Sequence, residues 1–209
     1  MKPSLRGLYA IADTQYLDDA HLAPAVEAAI AGGARVVQYR DKKHPPEIRR
    51  RHARKISDLC RRHGVLFLVN DDVALAMETG ADGVHLGRED MGLRAARALI
   101  GDNKLIGVSC YNELERALAA EQDGADYIAF GSFFPSRTKP GAIRATPELL
   151  RAARTQLRIP VVAIGGITPE NGATLIEAGA DMLAVIEGVF GQPDIRAAAQ
   201  RYADLFPKT

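Results

Sequence analysis

The chain has 209 residues, with 27 lysines and arginines against 26 aspartates and glutamates, and is 47% hydrophobic and 25% charged. That length buries one full-sized core, so a single domain over residues 1–209 is expected, and the balance excludes a disordered chain. A formal net charge of +1 excludes a general attraction to nucleic acid or to an anionic membrane.

The N-terminal Met1-Lys-Pro-Ser-Leu-Arg-Gly7 runs straight into an apolar run at 8–13, without a charged-then-apolar signal segment. No later stretch approaches the length of a membrane span, so a cytoplasmic protein is expected. A helical pattern at 22–31 follows, then an apolar run at 35–40 ending in Gln38-Tyr-Arg-Asp-Lys42. The next helical pattern, 47–63, carries Arg49, Arg50, Arg51, Arg54 and Lys55, which read as a solvated face rather than a nucleic-acid site. A third run, 66–70, ends in Val69-Asn-Asp71 before a helix at 73–79. A fourth, 83–87, opens into His85-Leu-Gly-Arg-Glu-Asp90. The fifth, 105–109, ends at Val108-Ser109 before a helix at 113–123. The sixth, 127–131, leads into Gly131-Ser-Phe-Phe-Pro-Ser-Arg-Thr-Lys139. The seventh, 161–165, ends at Ile164-Gly-Gly166, and the eighth, 182–186, at Ile186-Glu187. Thr146-Pro147 and Thr168-Pro169 are helix starts, with threonine at the N-cap and proline at N1.

A weak internal echo accompanies these runs: Gly33-Ala-Arg35, Gly80-Ala-Asp82, Gly124-Ala-Asp126 and Gly179-Ala-Asp181 each stand between a helical pattern and an apolar run. Glycine ends the helix and the strand starts almost at once, as in repeated βα units. Short runs nearly continuous in Val, Ile, Leu, Phe and Tyr suit parallel strands covered on the outside. Eight alternations predict an α/β fold, a (β/α)8 TIM barrel. An open doubly wound sheet is the alternative, but Asp13-Thr-Gln-Tyr16 stands where its Gly-rich fingerprint would follow the first strand.

In a barrel the strand C-termini converge on one face. Asp71 and Asp90 lie on neighbouring loops there and could share Mg2+, although an N-cap is an equal claim on Asp71 or Asp72 alone. Arg40, Lys42 and Lys139 are cations suited to phosphate, and Asn70 and Ser109 add neutral donors. Ser136, Arg137 and Thr138 sit on a loop between Pro135 and Pro140, and Gly165-Gly166 leaves backbone N–H groups open to an anion. Glu187 is an odd neighbour for phosphate unless its backbone alone makes the contact. His85 reads as a hydrogen-bonded near-site residue, and His21, His44, His52 and His63 as loop or helix-surface residues. No Ser-His-Asp order or HExxH motif is present, which disfavours chemistry needing a strong base. Cys60 and Cys110 form no CxxC pair and read as reduced thiols.

These motifs, in order from Leu8 to about Phe190, resemble the thiamine phosphate synthase family, whose pattern is QxRDK, VND, HLGQxD, GxxFPTxTK and GGI. The resemblance implies that a hydroxymethylpyrimidine diphosphate is joined to a thiazole phosphate with release of diphosphate, in a dissociative substitution assisted by Mg2+. It implies small-molecule substrates and a homodimer. It assigns Gln38, Tyr39, Arg40, Asp41, Lys42, Asn70, Ser109 and Lys139 to the pyrimidine diphosphate, with Arg40, Lys42, Lys139 and Ser109 as the catalytic set. Asp71 and Asp90 would bind the metal; Ser136, Arg137, Thr138 and Gly166, with the backbone at Ile186 and Glu187, would hold the thiazole phosphate. Three positions depart from the pattern: Arg88 for glutamine, Ser136 for threonine and Glu187 for serine. A thiazole tautomerase on the same barrel, or a thiamine-phosphate sensor or carrier, would not need both the cations and the paired acids.

Overall fold

The computed structural model describes residues 4–135 and 143–207. Eight strands close a parallel barrel in sequence order. They are β1 Gly7–Asp13, β2 Ala34–Arg40, β3 Leu66–Asn70, β4 Gly83–Leu86, β5 Leu105–Tyr111, β6 Tyr127–Phe130, β7 Val161–Ile164 and β8 Met182–Val185. The helices that follow them are α1 Leu22–Ala31, α2 Pro46–His63, α3 Val73–Glu78, α4 Leu93–Ile100, α5 Leu114–Gln122, α6 Pro147–Gln156, α7 Pro169–Ala178 and the single turn α8 Glu187–Phe190. A last helix, α9 Ile195–Ala203, packs against α1 and closes the ring. The predicted (β/α)8 barrel is the observed fold. Among the described residues no helix is long and apolar enough to cross a membrane.

The sequence separates into two apolar layers because strand side chains alternate in direction. Tyr9, Ile11, Val36, Leu68, Leu105, Tyr127, Ala129, Val162, Met182 and Ala184 fill the barrel interior. Their neighbours along the strands, such as Leu8, Val37, Phe67 and Val84, pack outward under the helices. Helix α2 buries Ala53, Ile56, Leu59 and Cys60 at helical spacing and turns its arginines outward, where Arg50 and Arg54 meet Glu78. Both cysteines are free and buried, and burial pushes both thiols up to about 12. Each large apolar side chain so buried contributes roughly 1.5–3 kcal/mol.

The repeated Gly-Ala-Asp has a structural purpose at the barrel's N-terminal end. Asp82, Asp126 and Asp181 each give a backbone N–H to the preceding strand, at Phe67, Ile106 and Val161, over 2.8 Å. Each carboxylate then accepts the N–H of that same residue, at 2.8, 2.7 and 2.9 Å. These reciprocal pairs set β4, β6 and β8 against β3, β5 and β7. The fourth copy carries Arg35 in place of the aspartate.

Candidate active site

At the C-terminal mouth a cavity of about 950 Å³ opens, lined from several strand ends by Gln38, Arg40, Asn70, His85 and Ser109, and on the far side by Gly165, Gly166, Ile186 and Glu187. The pleat decides which residues reach it. Gln38 and Arg40 face the cavity, whereas Tyr39 and Asp41, expected to hold substrate with them, are buried outside the barrel. Tyr39 Oη donates to Asp41 Oδ2 at 2.6 Å. Asp41 also accepts from Thr14 Oγ1 and from the backbone N–H groups of Lys43 and His44 at 3.0–3.1 Å. Asp41 thus fastens the loop that carries Lys42. Burial would raise its carboxyl, but the hydrogen bonds from Tyr39, Lys43 and His44 outweigh it and hold the group well below the usual range. His52, expected on a helix surface, is buried against this cluster.

Arg40 is held by Asp13, a fully buried carboxylate at the end of β1 that stands outside the sequence motifs. The second Asp13 oxygen accepts from the Gln15 N–H at 2.9 Å, so the acid itself cannot turn. Lys42, Asp71 and Asp90 do not line the main cavity, but each lies one or two residues beyond a lining residue. Lys42 pairs with Asp71, and Asp71 is hydrogen-bonded to Asp90, whose Oδ2 accepts the Gly87 N–H at 2.6 Å. Burial first, then the Asp90 carboxyl, pushes Asp71 up against the opposing pull of Lys42. For Asp90 burial is outweighed by the bonds from Asp71 and Gly87, which hold it low. Asp71 adopts a left-handed backbone, φ 64°, uncommon for a residue with a side chain. The N-cap role falls to Asp72, which accepts from the Leu75 N–H at 2.9 Å.

Beneath the cavity a chain of hydrogen bonds crosses the barrel. Gln38 Nε2 donates to Tyr9 Oη at 2.6 Å, Tyr9 Oη meets Tyr127 Oη at 2.9 Å, and Tyr127 Oη meets His85 Nδ1 at 3.0 Å. His85 Nε2 lies 2.9 Å from Ser109 Oγ. Tyr9 accepts from Gln38; an order in which Tyr9 donates to Tyr127 and Tyr127 to His85 Nδ1 would have the imidazole give an Nε2 proton to Ser109. In that order Ser109 would keep its own O–H for the cavity. Burial raises both phenols far above their ordinary value, so they remain donors. Gly107 makes room for this chain: a Cβ there would stand 1.9 Å from Tyr127 Cζ. His85 is the near-site histidine expected from the sequence, whereas Tyr9 and Tyr127 carry no motif that marks them.

On the far side, Phe133 and Phe134 bond through their N–H groups to the Ile164 and Gly165 carbonyls, at 3.2 and 2.9 Å. This lays the start of the β6–α6 connection over Gly165 and Gly166, both left-handed, where added Cβ atoms would come within 2.1 Å of Ser132 and 2.3 Å of Pro135. Only glycine fits there. Ser136, Arg137, Thr138 and Lys139, expected next along this loop, lie outside the described residues. Arg88, one of the departures, pairs with Glu113 and lies 4.7 Å over the Tyr111 ring at the cavity wall.

A family profile described as thiamine monophosphate synthase matches residues 8–189. A relative named thiamine-phosphate synthase from Nitrosococcus oceani is 52% identical over 207 residues, covering 99% of this chain and 95% of its own. One of the same name from Chromobacterium violaceum is 51% identical over 206 residues, 99% of each. The solved structure of thiamine phosphate pyrophosphorylase from Pyrococcus furiosus superposes with a TM-score of 0.86 at 38% identity, over 95% of this chain and 94% of that one.

Proposed function

The chain belongs to the thiamine monophosphate synthase family, and from that premise we propose which of its residues carry the reaction. It is a transferase, joining hydroxymethylpyrimidine diphosphate to thiazole phosphate and releasing diphosphate. The names of its relatives support the synthase over the tautomerase or sensor alternatives.

The thiazole nitrogen is already nucleophilic, so the protein's work lies at the leaving group. Arg40, Lys42 and Lys139 neutralise charge on the departing diphosphate, with Asn70 and Ser109 donating hydrogen bonds. Asp13 keeps Arg40 aimed at that position. Gln38, whose amide nitrogen is committed to Tyr9, offers its oxygen to the pyrimidine. As the C–O bond breaks, the aminopyrimidine ring spreads positive charge from the methylene carbon, and the thiazole nitrogen takes up that carbon. Ser136, Arg137, Thr138, the Gly166 N–H and the backbone at Ile186 and Glu187 hold the thiazole phosphate. The Glu187 side chain takes no part in that contact. Tyr39 and Asp41 act one step back, by fixing the Lys42 loop.

The observation that carries this reading is the Asp71–Asp90 pair beside Lys42. Burial and the Asp90 carboxyl push Asp71 up, and an oxygen-only donor set of this kind suits a magnesium ion that would relieve the crowding of the two acids. When bound there, the ion supplies further charge neutralisation for the diphosphate. Replacing Asp71 by Ala should raise the magnesium concentration needed for half-maximal rate by about tenfold or more, with an unchanged KM for thiazole phosphate. An unchanged magnesium requirement would sink this assignment. We further propose a single catalytic domain and a cytoplasmic homodimer.

A further inference from the structure

Outside the barrel mouth, the β1–α1 and β2–α2 connections bring Asp19, His44 and His52 together, with candidate ligand atoms all within 4.8 Å of one another. His44 Nε2 is 3.3 Å from Asp19 Oδ1, and His52 Nε2 is 3.5 Å from Asp19 Oδ2. The other ring nitrogens have partners of their own. His44 Nδ1 sits 2.9 Å from Asp41 Oδ2. His52 Nδ1 sits 3.3 Å from Tyr39 Oη, whose proton is committed to Asp41. A carboxylate, and a hydroxyl that has already given its proton, can only accept, so both Nδ1 atoms carry the imidazole protons. In the neutral rings both Nε2 lone pairs then converge on the Asp19 carboxylate, acceptors facing an acceptor. The rings stand 5.4 Å apart between centroids and nearly perpendicular. Such a set is satisfied either by protons on the Nε2 atoms or by a cation between its members.

We propose that Asp19, His44 Nε2 and His52 Nε2 form a second cation site, of zinc class, that clamps the β1–α1 connection to the β2–α2 connection. Donors about 2.0–2.1 Å from a tetrahedral zinc lie roughly 3.3 Å from one another. His44 Nε2 and His52 Nε2 reach different Asp19 oxygens, at 3.3 and 3.5 Å, and with one ligand atom from each residue the three lie within 4.8 Å, so a small side-chain adjustment brings them onto one ion. Two imidazole nitrogens suit zinc, and fit poorly with magnesium or calcium, which favour oxygen. Asp41 serves both rings from behind, directly at His44 and through Tyr39 at His52, the outer carboxylate that zinc-bound histidines commonly have. Arg51 Nη2 approaches Asp19 Oδ2 only to 3.5 Å from an exposed position and can turn away to solvent. Water fills the fourth position. The clamp lies on the segment that carries Lys42, and it is chemically distinct from the oxygen-only Asp71–Asp90 pair.

The test is calorimetric titration of zinc into chelator-stripped full-length protein in excess magnesium, repeated with cobalt and read by visible absorption. One zinc per chain is expected, with cobalt giving the intense bands of tetrahedral coordination. Asp19→Asn and His44→Gln, both on connections and not in the barrel core, should each weaken zinc binding by about 10–100-fold and abolish the cobalt bands. Asp90→Asn should change neither. Circular dichroism of the variants verifies that they fold. Absence of zinc binding, equal binding by wild type and the Asp19 and His44 variants, or a loss confined to Asp90→Asn would each overturn the proposal. Because the readout is metal binding and not turnover, failure here leaves the synthase reading intact, and the reverse also holds.

Discussion

At the scale of single residues, the chain from Gln38 through Tyr9, Tyr127 and His85 to Ser109 makes a buried phenol matter to a site it does not line. Tyr127→Phe retains the ring in the slot beside Gly107 but removes the donor to His85 Nδ1. The imidazole then loses its Nδ1 partner and Ser109 the ring that positions it. We predict a fall in kcat of about tenfold, the worth of one well-placed hydrogen bond, with little change in KM for thiazole phosphate. Nitrogen NMR of His85 should show the proton on Nε2 in the wild type and a mixed population in the variant. An unaltered His85 spectrum would refute the relay. Part of this was legible in the sequence and part was not. Gln38 and Arg40 stand two residues apart on β2, in keeping with strand alternation, and the same rule turns Tyr39 outward. A motif match alone does not distinguish the two sets. Tyr9 and Tyr127 gave no such signal. An aromatic residue inside a buried strand looks the same whether it only fills space or also carries a proton.

At the scale of elements, the strand bounds read from the sequence agree with the structure to within two residues, because helices cover the outside of every strand and leave continuous apolar runs. The largest difference is at β5, which continues past Ser109 to Tyr111 through a register shift against β6. A bulge of that kind leaves no compositional mark. Thr146 occupies its expected N-cap position without capping a backbone N–H through its side chain, whereas the Thr168 N–H is capped by Asn171 Oδ1 at 2.8 Å. The Gly-Ala-Asp echo was legible as a repeat, but its purpose was not, since the partner of each aspartate lies one strand back. Asp181→Ala should leave the Val161 N–H without its acceptor and lower unfolding free energy by about 1–3 kcal/mol, measured by urea denaturation. The clamp lies at the end of the barrel away from the cavity, so kcat/KM should stay within about twofold. A large loss of activity with unchanged stability would contradict this division between the two ends.

At the scale of the whole molecule, the outer layer shields groups that would ionise in alkali. Burial pushes Cys60, Cys110 and Tyr202 up to about 12. A group raised on folding contributes its stabilisation fully below its unfolded pKa and loses it as pH rises through the folded value. Stability should therefore decline from about pH 8.5, where free thiols begin to ionise, towards about 12. A urea midpoint unchanged between about pH 8 and 11 would count against this. The barrel also separates its tasks: reciprocal aspartate clamps at one end leave the other end free to gather Arg40, polar donors and open backbone around one cavity, with Lys42 and the paired acids one or two residues beyond its lining. The most direct test of that arrangement is diphosphate release on mixing the protein with magnesium, pyrimidine diphosphate and thiazole phosphate, beside Asp90→Ala and Lys139→Ala. Release should require both substrates and the metal, and should fall by at least about 100-fold in each variant. Undiminished release from either variant, or binding of thiazole phosphate with no release at all, would contradict the account.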